Sequence, residues 1–308
     1  MKFPGSRVAG WVQPETIMCL TSNLCRSSLV AVVAAASVLT LPAQPKIPDD
    51  CKTGGFAIGC QAYTFNRFSA FEAIEKCAQA GGKVIEFYPG QKLSKEEPNL
   101  KVDHASPQVE DVVAKLKTKL AGHNVKAVNY GVVGIPNDEA GARKVFEFAK
   151  KMGMRAITTE SPGAINTIEK LVKEYDIAVG FHNHGGSLSN PKYKVWNPLY
   201  IAGLVEGRDP RIGVAADTGH WCTSKLNPVE CLRVLKGRVI SVHLKDKKDF
   251  GNSHDVPYGQ GVADIKACLD ELKAQGFEGN ISIEYEYNWD NNVPEVTQCI
   301  DFVRNYGK

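Results

Sequence analysis

Several short stretches place an ionisable side chain where an apolar run stops. Phe181-His182-Asn183-His184, Ala216-Asp217-Thr218-Gly219-His220, Val242-His243-Leu244-Lys245-Asp246 and Ile283-Glu284-Tyr285-Glu286 do so in the second half of the chain, and Glu160 closes the run from Arg155. Imidazoles and carboxylates at the ends of successive strands are ligands for a divalent cation. Glu160, His182, Asp217, His243 and Glu284 are the metal candidates. An oxygen and nitrogen donor set without thiolate suits Mn, Mg, Co, Fe or Zn and selects none of them.

These runs recur within a regular alternation. Strand-like segments at Phe56–Tyr63, Val84–Tyr88, Val125–Val133, Arg155–Glu160, Ile177–His184, Ile212–Asp217, Val239–Leu244 and Ile281–Glu286 are each followed by a helical pattern. The first helix carries Phe68, Phe71, Ile74, Cys77 and Ala78 at helical spacing before Gly81-Gly82, and the closing helix is expected over Glu295–Tyr306. Helices are also expected at 109–120, 139–152, 165–175, 198–205, 228–236 and 263–275, with a loop at 246–263. Eight β/α units in a row over residues 54–308 predict an α/β fold, a single (β/α)₈ TIM barrel of the usual size.

Strand parity then sorts the side chains. Side chains alternate between the barrel interior and the helix layer. Ile240, Val242 and Leu244 oppose Ser241, His243 and Lys245; Ile281 and Ile283 oppose Ser282, Glu284 and Glu286. Ile177, Val179 and Phe181 oppose Gly180, His182 and His184; Val214 and Ala216 oppose Ala215 and Asp217; Ile157 opposes Thr158 and Glu160. The apolar set suits the helix layer, so the polar set points inward, toward the C-terminal mouth where barrel active sites lie. The same parity turns Gln61, Tyr63, Glu86 and Tyr88 inward. Five ionisable groups converging there are hard to account for as isolated structural ion pairs, since unpaired burial costs several kcal/mol each.

The chain has 308 residues and a net charge of +3, of which Lys2, Arg7 and Arg26 against Glu15 supply most. The remainder is close to neutral and has no basic block for a phosphate backbone, which argues against nucleic acid. Ser28 to Leu41 is an apolar run behind Arg26 and ahead of Pro42-Ala43, the pattern of a secretory signal peptide over 1–43, cleaved near Ala43. The run is too short to span a bilayer comfortably. The expectation is a secreted or periplasmic protein with no stable membrane insertion, with residues 44–53 as a linker. Seven cysteines follow Ala43; Cys60, Cys77, Cys268 and Cys299 fall in strand or helix patterns and read as small buried hydrophobes.

From Gly54 to about Arg304 the chain resembles the xylose isomerase-like TIM barrels, a superfamily of sugar isomerases, epimerases and apurinic endonucleases. The most specific parts are Asp217-Thr-Gly-His220, His243-Leu-Lys-Asp246 and Ile283-Glu284. The resemblance implies four ligands, Glu, Asp, His and Glu, from the last four strands. Asp217, His243 and Glu284 match three. The first Glu falls on His182, so either His182 is the ligand or Glu160 fills the place. The chemistry implied is metal-assisted removal of the proton beside a sugar carbonyl, giving an enediolate. On that reading Glu284 or Glu160 is the base, His182 or His184 delivers a proton, and His220 contacts substrate. Lys245 holds an oxyanion, pairs with Asp246, or forms a structural pair with Glu86 or Glu286. Glu286, Glu86, His184 and Tyr63 line the pocket. Trp196, Trp221 and Trp289 lie in mouth loops, where stacking on a sugar and plain loop packing are both open.

The expected activity is a metal-dependent isomerase or epimerase acting on a small keto sugar. A lyase or dehydratase sharing the first step is the alternative, because His in place of Glu breaks the symmetry of paired carboxylates. An apurinic endonuclease and a non-catalytic carbohydrate-binding barrel belong to other classes. No glycine-rich phosphate loop stands out.

Overall fold

The computed structural model describes residues 46–308. The expected signal peptide and the start of the expected linker lie outside the described residues. Among those described, no helix is long and apolar enough to cross a membrane.

Eight parallel strands form the barrel: β1 (Phe56–Gln61), β2 (Val84–Phe87), β3 (Lys126–Tyr130), β4 (Ala156–Thr159), β5 (Ala178–His182), β6 (Ile212–Asp217), β7 (Val239–Leu244) and β8 (Asn280–Ile283). Each pairs with the next, and β8 returns to β1 through Ile281 opposite Ile58 and Ser282 opposite Gly59, so the sheet closes. Closure leaves the barrel no free edge.

The helices begin where local chemistry satisfies their first N–H groups. Ser69 and Glu72 form a reciprocal cap at α1 (Ala70–Gln79), and Asp138 caps α3 (Glu139–Met152). Between them runs α2 (Val109–His123), and α4 (Ile165–Tyr175) follows. Asn197 and Asn227 cap α5 (Pro198–Val205) and α7 (Pro228–Val234), each with proline at the first turn. Between these lies α6 (Thr218–Thr223), a turn and a half that hydropathy does not announce. The last two are α8 (Ile265–Ala274) and α9 (Val293–Arg304).

Parity holds for most strands. Ile157, Val179, Phe181, Val214, Ala216, Val242, Leu244, Ile281 and Ile283 all join the core between sheet and helices. Ile240 does not. The β6–β7 register steps from Val214↔Val239 to Ala215↔Ser241, and the bulged Ile240 packs inside the barrel on Ala156 and Ala178. A matching bulge between β2 and β3 turns Val128 inward onto Ala57 and Val84. Part of the expected linker belongs to the barrel. Ile47 and Cys51 close its N-terminal end against these residues, and Lys52–Thr53 pairs antiparallel with β1. The loop after β7 also holds a small hairpin, Asp246–Lys247 with Asp255–Val256.

Candidate metal centre

Four strand ends deliver four ligand atoms to one place. One atom each of His182, Asp217, His243 and Glu284 lies within 4.8 Å of the other three, and all four residues are buried. His182 Nε2 is 3.5 Å from Asp217 Oδ2, and His243 Nδ1 is 3.8 Å from that oxygen and 3.3 Å from Glu284 Oε2. His182 Nε2, His243 Nδ1 and Asp217 Oδ2 have no hydrogen-bond partner although they are buried. Unpartnered buried polar atoms also occur elsewhere, as at Ser241 Oγ and Trp221 Nε1, but here imidazole nitrogens and a carboxylate oxygen face one another, an arrangement that fits a divalent cation.

The supporting groups hold these side chains still. Asp217 Oδ1 accepts the His220 N–H at 2.8 Å and so caps α6. Asn183 grips the Asp217 backbone twice, donating to its carbonyl and accepting its N–H at 2.9 Å each. Thr218 Oγ1 donates to the Lys245 carbonyl at 2.7 Å and accepts the Lys245 N–H at 2.8 Å. Gly219 must be glycine, because a Cβ there would stand 2.7 Å from the Lys245 Cβ.

A carboxylate stands beside the other nitrogen of each imidazole, hydrogen-bonded to it at His182 and only near it at His243, whose Nε2 has no hydrogen-bond partner either. His182 Nδ1 is 3.0 Å from Glu160 Oε1, and His243 Nε2 is 3.1 Å from Glu86 Oε2. That is how metal-bound histidines are oriented. Glu160 therefore stands outside the group of four, where it also bonds His184 Nδ1. Glu86, expected at the pocket wall, is fully buried in the barrel interior and accepts Thr158 Oγ1 and Ser282 Oγ at 2.8 Å each. It is beyond a substrate's reach.

Lys245 enters the same cluster from just past the C-terminal end of β7. Its Nζ lies 3.1 Å from Asp217 Oδ2, 2.6 Å from Glu284 Oε2 and 2.8 Å from Glu286 Oε2. The anticipated pair with Glu286 is present. The pair with Asp246 is not, because that carboxylate accepts the N–H groups of Gly259, Gly261 and Ala263.

Charge follows this wiring. Burial alone would raise the Glu160 carboxyl, but hydrogen bonds from His182 and His184 outweigh it and hold the group down to about 2. Burial also opposes ionisation of Asp217 and Glu284. For Asp217, His220 and Lys245 win, and for Glu284, Lys245 and His243, so both stay far below the carboxylate range. His243 is raised well above its ordinary value by Glu86 and Glu284 against burial, and His182 is raised by Asp217 and Glu160. His220 goes the other way, pushed down to about 3 by burial despite Asp217.

The centre opens on a cleft of about 280 Å³ lined by Gln61, Tyr63, Tyr88, Pro89, Val132, His184, Glu284 and Glu286. Tyr63, His184 and Glu286, expected along the pocket, border this cleft, and so does Glu284, expected as a ligand and base. His220 packs its ring 4.6 Å from that of His184. Trp289 meets Tyr63 edge-on at 6.0 Å, whereas Trp221 is buried core. Tyr193, which sequence reasoning passed over, accepts the His184 N–H on its hydroxyl at 2.8 Å; it sits in a long loop with no periodic signal.

A family model described as a xylose isomerase-like TIM barrel matches residues 74–306. An uncharacterised protein from Parabacteroides distasonis shares the fold at a TM-score of 0.64 and 29% identity, covering 81% of this chain and 98% of its own. A D-allulose 3-epimerase from Methylomonas sp. superposes at a TM-score of 0.62 with 15% identity, covering 85% of this chain and 99% of its own. An L-ribulose-5-phosphate 3-epimerase from Salmonella paratyphi A is 35% identical over 74 residues, 24% of this chain. This chain spans about a quarter, 26%, of that curated relative's length.

Proposed function

The chain belongs to the xylose isomerase-like TIM barrel family, and from that premise we propose that it is a divalent-metal-dependent sugar isomerase or epimerase acting on a keto sugar. The observation that carries this is the meeting of ligand atoms of His182, Asp217, His243 and Glu284 within 4.8 Å of one another beside an open cleft, with the facing nitrogens of both imidazoles lacking a hydrogen-bond partner. The Salmonella and Methylomonas proteins, an L-ribulose-5-phosphate 3-epimerase and a D-allulose 3-epimerase, support the same reading.

His182, Asp217, His243 and Glu284 would hold the cation. Its contribution is to polarise the sugar's carbonyl oxygen and so acidify the adjacent C–H. Glu284 borders the cleft and stays ionised beside Lys245, which suits it to accept the proton from carbon. The sugar is then an enediolate. His184 borders the cleft with Glu160 on its Nδ1, so its remaining nitrogen is the group that returns a proton, to the opposite face of the same carbon in an epimerase or to the neighbouring carbon in an isomerase. His182 has Glu160 on its Nδ1 and turns its unpartnered Nε2 into the cluster toward Asp217, which suits it as a ligand rather than a proton carrier. His220 holds its ring against His184 and narrows the approach.

One feature favours a second outcome. A carboxylate on one side and a Glu160–His184 pair on the other are unequal, and an unequal pair also suits handing the proton to a leaving oxygen, as a lyase does. Metal analysis of the purified protein, then incubation with 2-keto and 3-keto sugars in D₂O, tests the proposal. Deuterium appearing at one carbon with a rearranged or epimerised sugar is expected; an unsaturated product would assign the lyase. Asp217→Asn should lose both metal and exchange. Full exchange in a metal-free Asp217→Asn protein would overturn the reading.

A further inference from the structure

Resting on the proposed function, we propose that this site is built for an uncharged sugar and rejects phosphorylated ones, with Glu286 and the Tyr63–Tyr88 lip setting the preference. A phosphoryl group needs cationic or N–H donors facing it. Among the described residues, no lysine or arginine lines the cleft. Lys245 is the cation nearest its floor, and Asp217, Glu284 and Glu286 all lie within 3.1 Å of its ammonium. Three carboxylates, those of Asp217, Glu284 and Glu286, thus crowd one ammonium, so the floor of the cleft carries more acidic than basic side chains. Glu286 projects this excess into the cleft, and a phosphate dianion entering there meets repulsion in a partly dry setting.

The outer part of the cleft has the opposite deficiency. Tyr88 lies edge-on to Tyr63 at 5.2 Å, with Pro89 and Val132 beside them. These groups suit the C–H face of a sugar, not a solvated anion. The volume of about 280 Å³ lies at the small end for ligand pockets, which fits one monosaccharide.

The test compares the metal-loaded protein with L-ribulose and D-fructose against L-ribulose 5-phosphate and D-fructose 6-phosphate, reading binding by calorimetry and turnover by product analysis. A free sugar should bind, and be turned over, about 100-fold better than its phosphate ester or more. Glu286→Gln should narrow that gap. Tyr63→Arg, on the exposed lip and so independent of the buried cluster, should narrow it by favouring the ester. Equal binding, preference for the esters, or no binding of either free sugar would overturn the proposal. Free sugars that bind selectively without any deuterium exchange would leave it standing and sink the isomerase reading instead.

Discussion

At the scale of the residue, the centre is governed by what stands behind each imidazole. Glu86 is 3.1 Å from the far nitrogen of His243, and Glu160 is 3.0 Å from that of His182. Removing such a backing carboxylate typically weakens metal binding 10–100-fold, so Glu86→Gln and Glu160→Gln should each lower affinity by roughly that range in calorimetric titration. Unchanged affinity in both would show that the rings are held by packing alone. Protonation belongs to this scale too. His182 and His243 have raised pKa values without metal, and each must lose its proton before its nitrogen can bind a cation. Metal affinity should therefore climb as pH rises above the ordinary histidine range, with protons released on binding. Titrations in two buffers of different ionisation enthalpy measure that release, and its absence would contradict the assignment. In the metal-free protein the sign reverses: both raised histidines stabilise the fold at low pH, and that contribution is lost as pH rises through their folded values. Glu160, held down to about 2, adds stability above its unfolded value that is lost as pH falls.

At the scale of the element, strand ends are locked by single side chains that bridge to the next strand. Thr218 does this to Lys245, and Thr64 repeats the device, donating to the Ile283 carbonyl at 2.9 Å and accepting the Tyr285 N–H at 3.0 Å. Thr218→Val keeps the shape but orphans two buried backbone groups. A loss of about 1–3 kcal/mol for each is expected in urea denaturation, with weaker metal binding because Lys245 and Asp217 are both loosened. A variant as stable as the parent would deny the bridge its role. Most elements were legible: α3, α4, α5, β6 and β7 have the bounds that periodicity and caps suggested. Asp217, His182, His243 and Glu284 were legible because strands with one polar inward set read clearly. Ile240 and Val128 were not, because a bulge adds a residue without changing the hydropathy pattern. Glu86 was assigned the correct face and the wrong depth, since parity says which side a residue takes and not how far down the barrel it lies. The short α6 escaped because six residues show too little of a helical period.

At the scale of the whole molecule, the two ends of the barrel do different work. The N-terminal end is closed by Ile47, Cys51, Ala57, Val84 and Val128, while the C-terminal end carries the ligands and the cleft. Ile47→Ala should cost about 2–3 kcal/mol of stability and leave metal affinity unchanged, since the two sites share no partners. Parallel denaturation and metal titration would check this, and a matched fall in affinity would show that the ends are coupled through the barrel wall.

The eighth strand both seals the sheet against the first and brings in Glu284, the fourth ligand. During synthesis, then, the coordination sphere is incomplete until almost the entire polypeptide has been made. On the proposed reading, cation capture would then fall in the last stage of assembly.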